Sequence, residues 1–166
     1  IVPTEFDREF RHCLVHGDVH DQGAALLGGV SGHAGLFSNA GDLAFILQML
    51  LQKGTYGGKK YFNADIVDEF TRYQFPLNSN RRGLGFDKPE QEQRTNGPAC
   101  RAASERSFGH SGFTGTYIWA DPENNLSYVF LSNRVYPDAT NNKLIEQQLR
   151  TRIHELFYHA LPLNPK

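Results

Sequence analysis

The chain has 166 residues, 39% of them hydrophobic and 21% charged, and a formal charge of −1. So even a balance excludes a surface that binds polyanions through bulk charge, and no nucleic-acid partner is expected. Twelve Phe, seven Tyr and one Trp exclude a disordered chain, and the length suffices for one domain with a core.

Residues 1–37 are rich in Gly, His and Asp and show little periodicity, which predicts irregular loop. Ser38-Asn39 then offers capping side chains. Leu43, Ile46, Leu47, Leu50 and Leu51 follow at helical spacing until Gly54, so a helix is expected near 40–53. That run is also the longest apolar stretch; Gln48 interrupts it, and it is far too short to span a membrane. Asn63 is expected to cap a second, short helix with Ile66, Val67 and Phe70 on one face. Residues 74–106 are polar and carry Pro76, Pro89 and Pro98. Only Gly83-Leu84-Gly85-Phe86 reads as a strand there, and 87–104 reads as a surface loop.

The C-terminal third has the strongest pattern. Thr114 to Ala120 and Leu126 to Ser132 read as strands around the turn Asp121-Pro122-Glu123-Asn124-Asn125, an antiparallel hairpin. After Pro137 a long helix is expected from Asn141 to Ala160, with Leu144, Ile145, Leu149, Ile153, Leu156 and Phe157 on its apolar stripe. The organisation is therefore a loop and helical part over 1–73, strands within 82–133 and a final helix over 141–160. The class is α+β. Cys13 and Cys100 form no Cys-x-x-Cys pair and read as two small buried residues.

Gly109-His110-Ser111-Gly112-Phe113-Thr114-Gly115 stands out chemically. Its glycines let the backbone approach another group closely, and His110 and Ser111 supply a proton carrier and a hydroxyl. It is no nucleophile elbow, because Phe113 occupies the place of the second glycine. His12, His16 and His20 recur every four residues near Asp18 and Asp21, the raw material of a metal-dependent hydrolase; solvated loop histidines are the simpler reading. Tyr61-Phe62-Asn63 resembles a catalytic Tyr-x-Asn, but Asn63 is better used as a cap. Arg81-Arg82 reads as a basic pair on the surface, and no Ser-x-x-Lys occurs.

The run from His110 to Glu123, with the strand and helix that follow, resembles the C-terminal part of serine β-lactamases and penicillin-binding-protein-like esterases. Their Lys-Thr/Ser-Gly strand motif is often His-x-Gly in the esterase branch. The stretch Gly32-His33-Ala34-Gly35-Leu36-Phe37-Ser38-Asn39-Ala40-Gly41-Asp42-Leu43-Ala44 is similar to the Gly-Leu-x-Ser-Thr-Ala-x-Asp-Leu-Ala signature of the same family. Val15 to Asp21 before it looks like the subgroup attached in some bacteria to a β-N-acetylglucosaminidase.

The resemblance implies the C-terminal part of the β-lactamase/transpeptidase fold, with its final helix on an antiparallel sheet. It also implies acyl transfer on an amide or ester by a nucleophile, from Ser-x-x-Lys, that lies upstream of Ile1. The chain starts at Ile1 rather than Met, without a visible signal, and is expected to be a piece of a longer protein. His110 would replace the motif lysine, Ser111 would hydrogen-bond the substrate, and the Phe113 N–H would be one oxyanion donor. Gly112 and Thr114 would flank the substrate. Further implications are a small-molecule or peptidoglycan-type substrate, no cofactor or metal, a cell-envelope location and an inactive chain in isolation. The partners would be the N-terminal half, an attached glycosidase domain, or a second copy paired through an exposed sheet edge. A non-catalytic accessory domain of a glycosidase is the alternative.

Overall fold

The computed structural model describes residues 1–75, 80–91 and 97–161; Pro76 and part of the expected 87–104 loop lie outside them. Residues 1–37, expected as loop, contain an antiparallel hairpin, β1 (Pro3–Asp7) with β2 (Cys13–His16), and a short helix, α1 (Gln22–Leu26). The Asp7 carboxylate builds the hairpin turn by accepting the N–H groups of Glu9, Phe10 and Arg11 and the Arg11 Nε–H at 2.9–3.1 Å. Those donors, the Phe10 N–H first, hold its carboxyl well below the usual range. Strands this short show too few alternations to be read from sequence.

Helix α2 (Ala40–Leu51) forms as the spacing predicts. Asn39 Oδ1 accepts the Asp42 N–H at 3.0 Å, and Gly54, at φ +87, donates to Met49 O at 2.9 Å. A two-residue turn, Gly57-Gly58, with both φ positive (58° and 76°), then joins β3 (Thr55–Tyr56) to β4 (Lys59–Lys60). Helix α3 (Ala64–Thr71) starts after Asn63, but the Asn63 side chain makes no capping bond. Its buried residues are Val67 and Thr71, while Ile66 and Phe70 are exposed, which corrects the expected apolar face.

Three antiparallel strands make the central sheet in the order β5 (Phe108–Ser111), β6 (Tyr117–Asp121), β7 (Leu126–Phe130). The pleat sorts their side chains to two faces. Tyr117, Trp119 and Tyr128 pack with Ala99, Cys100 and Ala103 and meet Ile153 and Tyr158. Phe108 and Ala120 pack on Leu47 of α2, with Leu50, Phe86 and Val129 beside them. The sheet is thus sandwiched between α2 and the C-terminal helix, an α+β layering.

The expected helix over 141–160 is broken. A single turn, α4 (Lys143–Glu146), ends before Gln148, which is left-handed (φ 51°), and α5 (Leu149–Ala160) starts anew. The reset turns His154 inward to full burial and leaves Leu156 and Phe157 exposed. Gly83 to Phe86 is a turn, not a strand: Gly83 N–H donates to Phe86 O at 3.0 Å, and only Asp87 bridges to the sheet. The segment expected as surface loop after it buries Asp87, Lys88, Ala99, Cys100 and Ala103. The Lys88 ammonium donates to Ser107 O at 2.9 Å over the Tyr73 ring, and burial pulls its pKa to about 8. Both cysteines are free; Cys13 is exposed, contrary to expectation, and burial pushes the Cys100 thiol up to about 12.

Candidate active site

His110 and Ser111 belong to β5 itself, paired with Ile118 and Tyr117 of β6. Neighbouring strand residues point to opposite faces, so the pair does not converge: Ser111 shares its side with Tyr117, and His110 shares its side with Phe108. Gly109 lets the strand lie under an aromatic slab. A Cβ there would fall 2.2 Å from Ile118 O and 2.4 Å from Trp119 Cε3, and Trp119 stacks on Tyr117 with centroids 5.5 Å apart.

After Ser111 the chain turns tightly. Gly112 N–H donates to Thr116 O at 2.8 Å and Gly115 N–H to Gly112 O at 3.1 Å. Two arginines clamp this turn. Arg134 donates from Nε to Phe113 O (2.8 Å) and from its backbone N–H to Thr114 O (2.8 Å), and its guanidinium lies 4.4 Å over the Phe113 ring. Arg150 of α5 donates from Nη1 to Gly112 O and Thr116 O, both at 3.2 Å. The Phe113 N–H shares its peptide plane with Gly112 O, which Arg150 and the Gly115 N–H hold, while Arg134 holds the next plane at Phe113 O; that peptide cannot swing freely, and among the described residues the Phe113 N–H has no acceptor. That is the condition of a preorganised anion donor. Thr114 is half-buried in the same turn.

Arg81-Arg82 is not a solvated surface pair. Asp87, buried, exchanges hydrogen bonds with Gly109 (2.7 and 3.0 Å) and pairs with Arg81 Nε at 2.8 Å. Arg82 Nη1 lies 2.9 Å from His110 Nε2, and His110 Nδ1 lies 2.9 Å from Ser111 O. An open cleft of about 420 Å³ runs past Ser111, Tyr117, Arg81, Arg82, Asp87 and Arg150. Sequence reasoning missed Arg82, Arg134 and Arg150 because each acts on backbone or imidazole distant in the chain; only the place of Arg82 just before a Gly-x-Gly turn is a usable signal.

The histidines at 12, 16 and 20 are not gathered. His16 Nε2 contacts Ile1 O at 2.8 Å, and His20 Nε2 lies 3.1 Å from Glu5. Among the described residues no group of three or more His, Cys, Asp or Glu could hold a metal ion. Tyr61 directly follows β4, in the short link before α3.

The family model described as Beta-lactamase matches residues 3–151. A protein of Escherichia coli K12, provisionally named a D-alanyl-D-alanine carboxypeptidase, is 38% identical over 151 residues, covering 81% of this chain and 33% of its own length. A Salmonella enteritidis protein of the same name is 40% identical over 161 residues, covering 87% of this chain and 35% of its own. The chain therefore spans about a third of the length of the curated relatives it matches. Among solved structures, a beta-lactamase from Mycobacterium bovis aligns with a TM-score of 0.49 and 26% identity, covering 66% of this chain and 44% of that one.

Proposed function

The chain belongs to the beta-lactamase family, a serine-hydrolase-like family, and from that premise we propose that it forms one wall of an acyl-transfer site in a longer protein. The substrate class we assign is a peptidoglycan-type peptide amide. A serine outside this chain adds to the carbonyl carbon, and the oxygen becomes an oxyanion shared between that serine's own N–H and the Phe113 N–H. Collapse expels the amine with a proton, and water then hydrolyses the acyl ester. Ser111 hydrogen-bonds the substrate, Gly112 and Thr114 flank it, and His110 stands where the family's lysine would be.

One observation carries this reading: the Phe113 N–H is left without an acceptor on a turn clamped by Arg134 and Arg150. A fixed donor of this kind contributes on the order of a hundred-fold or more in rate. The names of the E. coli and Salmonella relatives support an amide of the cell wall, and imidazole instead of lysine at 110 leans away from a strong β-lactamase. Such a substrate lies in the bacterial envelope, which is the location we propose; no helix among the described residues is long and apolar enough to cross a membrane.

The test is acylation by a fluorescent penicillin and by a fluorophosphonate. The longer protein is expected to label stoichiometrically, and the 166-residue chain alone to show none, a loss on the order of a million-fold in rate. Stoichiometric labelling of the isolated chain, at Ser111 or elsewhere, would sink the proposal.

A further inference from the structure

We propose that Arg82 is a positioning residue for His110: it locks the imidazole in the Nδ1–H tautomer and itself supplies the positive charge of this corner. The inference rests on the reading of His110 as the counterpart of the family's lysine.

The geometry admits one assignment. Ser111 O can only accept, so the His110 nitrogen 2.9 Å from it, Nδ1, carries the proton. Arg82 Nη1 can only donate, so Nε2, 2.9 Å from it, carries the lone pair. An imidazole serving both contacts at once is neutral, and the guanidinium beside it is charged at every working pH. A cation that a lysine would bring on one side chain is here divided between an orienting ring and a fixed guanidinium.

Arg82 is held for this task from several sides. Its N–H donates to Asn80 Oδ1 at 3.0 Å and its carbonyl accepts from Gln74 N–H at 3.0 Å. Its Nε lies 3.7 Å from the carboxylate of Asp87, whose backbone is bridged to Gly109, the residue before His110. The loop that carries Arg82 is therefore stitched to the strand that carries His110, so the two side chains are brought into register by backbone bonds.

The test reads the ring nitrogens directly, at a pH well above the ordinary imidazole range. The chain is labelled with ¹⁵N-histidine, and a His110→Gln variant identifies the resonance among the seven histidines. Sedimented samples serve as well as solutions. The native chain is expected to show a protonated Nδ1 and a bare Nε2. Arg82→Met removes the donor and should move the tautomer ratio about tenfold towards Nε2–H, the value of one charge-assisted bond. Arg82→Lys restores a donor and should keep Nδ1–H dominant. Trp119 fluorescence reports whether each variant is folded; if Arg82→Met is not, the native chain and Arg82→Lys must both show Nδ1–H. A native His110 protonated at Nε2, or a ratio unmoved in folded Arg82→Met, overturns the proposal. Neither result depends on acylation of the longer protein, so a failure of the acyl-transfer reading and a failure of this inference are told apart.

Discussion

Gly109 shows how one missing side chain shapes the site. The indole of Trp119 occupies the space a Cβ would need, and Ile118 O closes the other side. Neither can retreat: one is strand backbone, and the other is the fully buried centre of a core cluster. Gly109→Ala is expected to cost about 3 kcal/mol, the upper end of overpacking. A lowered urea midpoint followed by the chain's one tryptophan would show it, and an unchanged midpoint would contradict the packing described. Since Gly109 also bridges Asp87, the damage should reach the Arg81 and Asp87 pair as well.

At the scale of elements, α5 docks through rings and polar groups more than through aliphatic side chains. His154 stacks on Tyr128 with centroids 4.4 Å apart, and its Nδ1 meets the Tyr117 hydroxyl at 3.3 Å. Tyr158 donates to Asp121 at 2.7 Å. Burial pushes the Asp121 carboxyl up, yet the hydrogen bonds from Ser104, Tyr158 and Asn124 hold it below its ordinary value. Burial lowers His154 from 6.5 to about 4, against the weaker pull of Asp121 and Glu155. The unfolded chain therefore takes up a proton near 6.5 and the folded chain only near 4, so stability is full above that window and falls as pH drops through it. The loss should approach about 3 kcal/mol by its lower edge, and His154→Phe should flatten this slope. Urea titrations at stepped pH decide; equal slopes in both proteins would contradict it.

The same helix marks where sequence reading stops. Helix α2 and the β6–β7 hairpin are legible because each repeats its period long enough to be counted. The break before α5 is not, since a left-handed Gln148 carries no glycine to announce it. The strand around His110 is legible as a motif, and the donor proposed at Phe113 follows from the same motif. Arg82 is not, because it meets His110 across 28 positions and only the fold closes that distance. The β1–β2 hairpin fails for another reason: Val15 is buried but its neighbour Leu14 is exposed, so apolar identity and burial disagree within four residues.

The whole molecule exposes much apolar surface on one stretch of chain. Leu26, Leu27, Val30 and Leu36 are each at least 70% exposed, and Phe37, Phe45 and Ile46 are exposed as well. Among the described residues no strand pairs with the outer edge of β7. Both features suit a surface that the rest of a longer protein covers, and relatives three times as long leave room for it. In isolation the chain is expected to associate with itself. Light scattering on a dilution series should show species larger than a monomer, and a monomer that persists at high concentration would contradict this.

Asn133 and Arg134 adjoin in sequence but face different tasks. Asn133 Nδ2 donates to Pro3 O (2.7 Å) and Thr4 O (3.2 Å) on β1, while Arg134 grips Phe113 O. The N-terminal hairpin and the Phe113 carbonyl are therefore tied to one another by two side chains and a single peptide link. A shift of β1 would be passed, through these two neighbouring side chains, to the turn that follows Ser111.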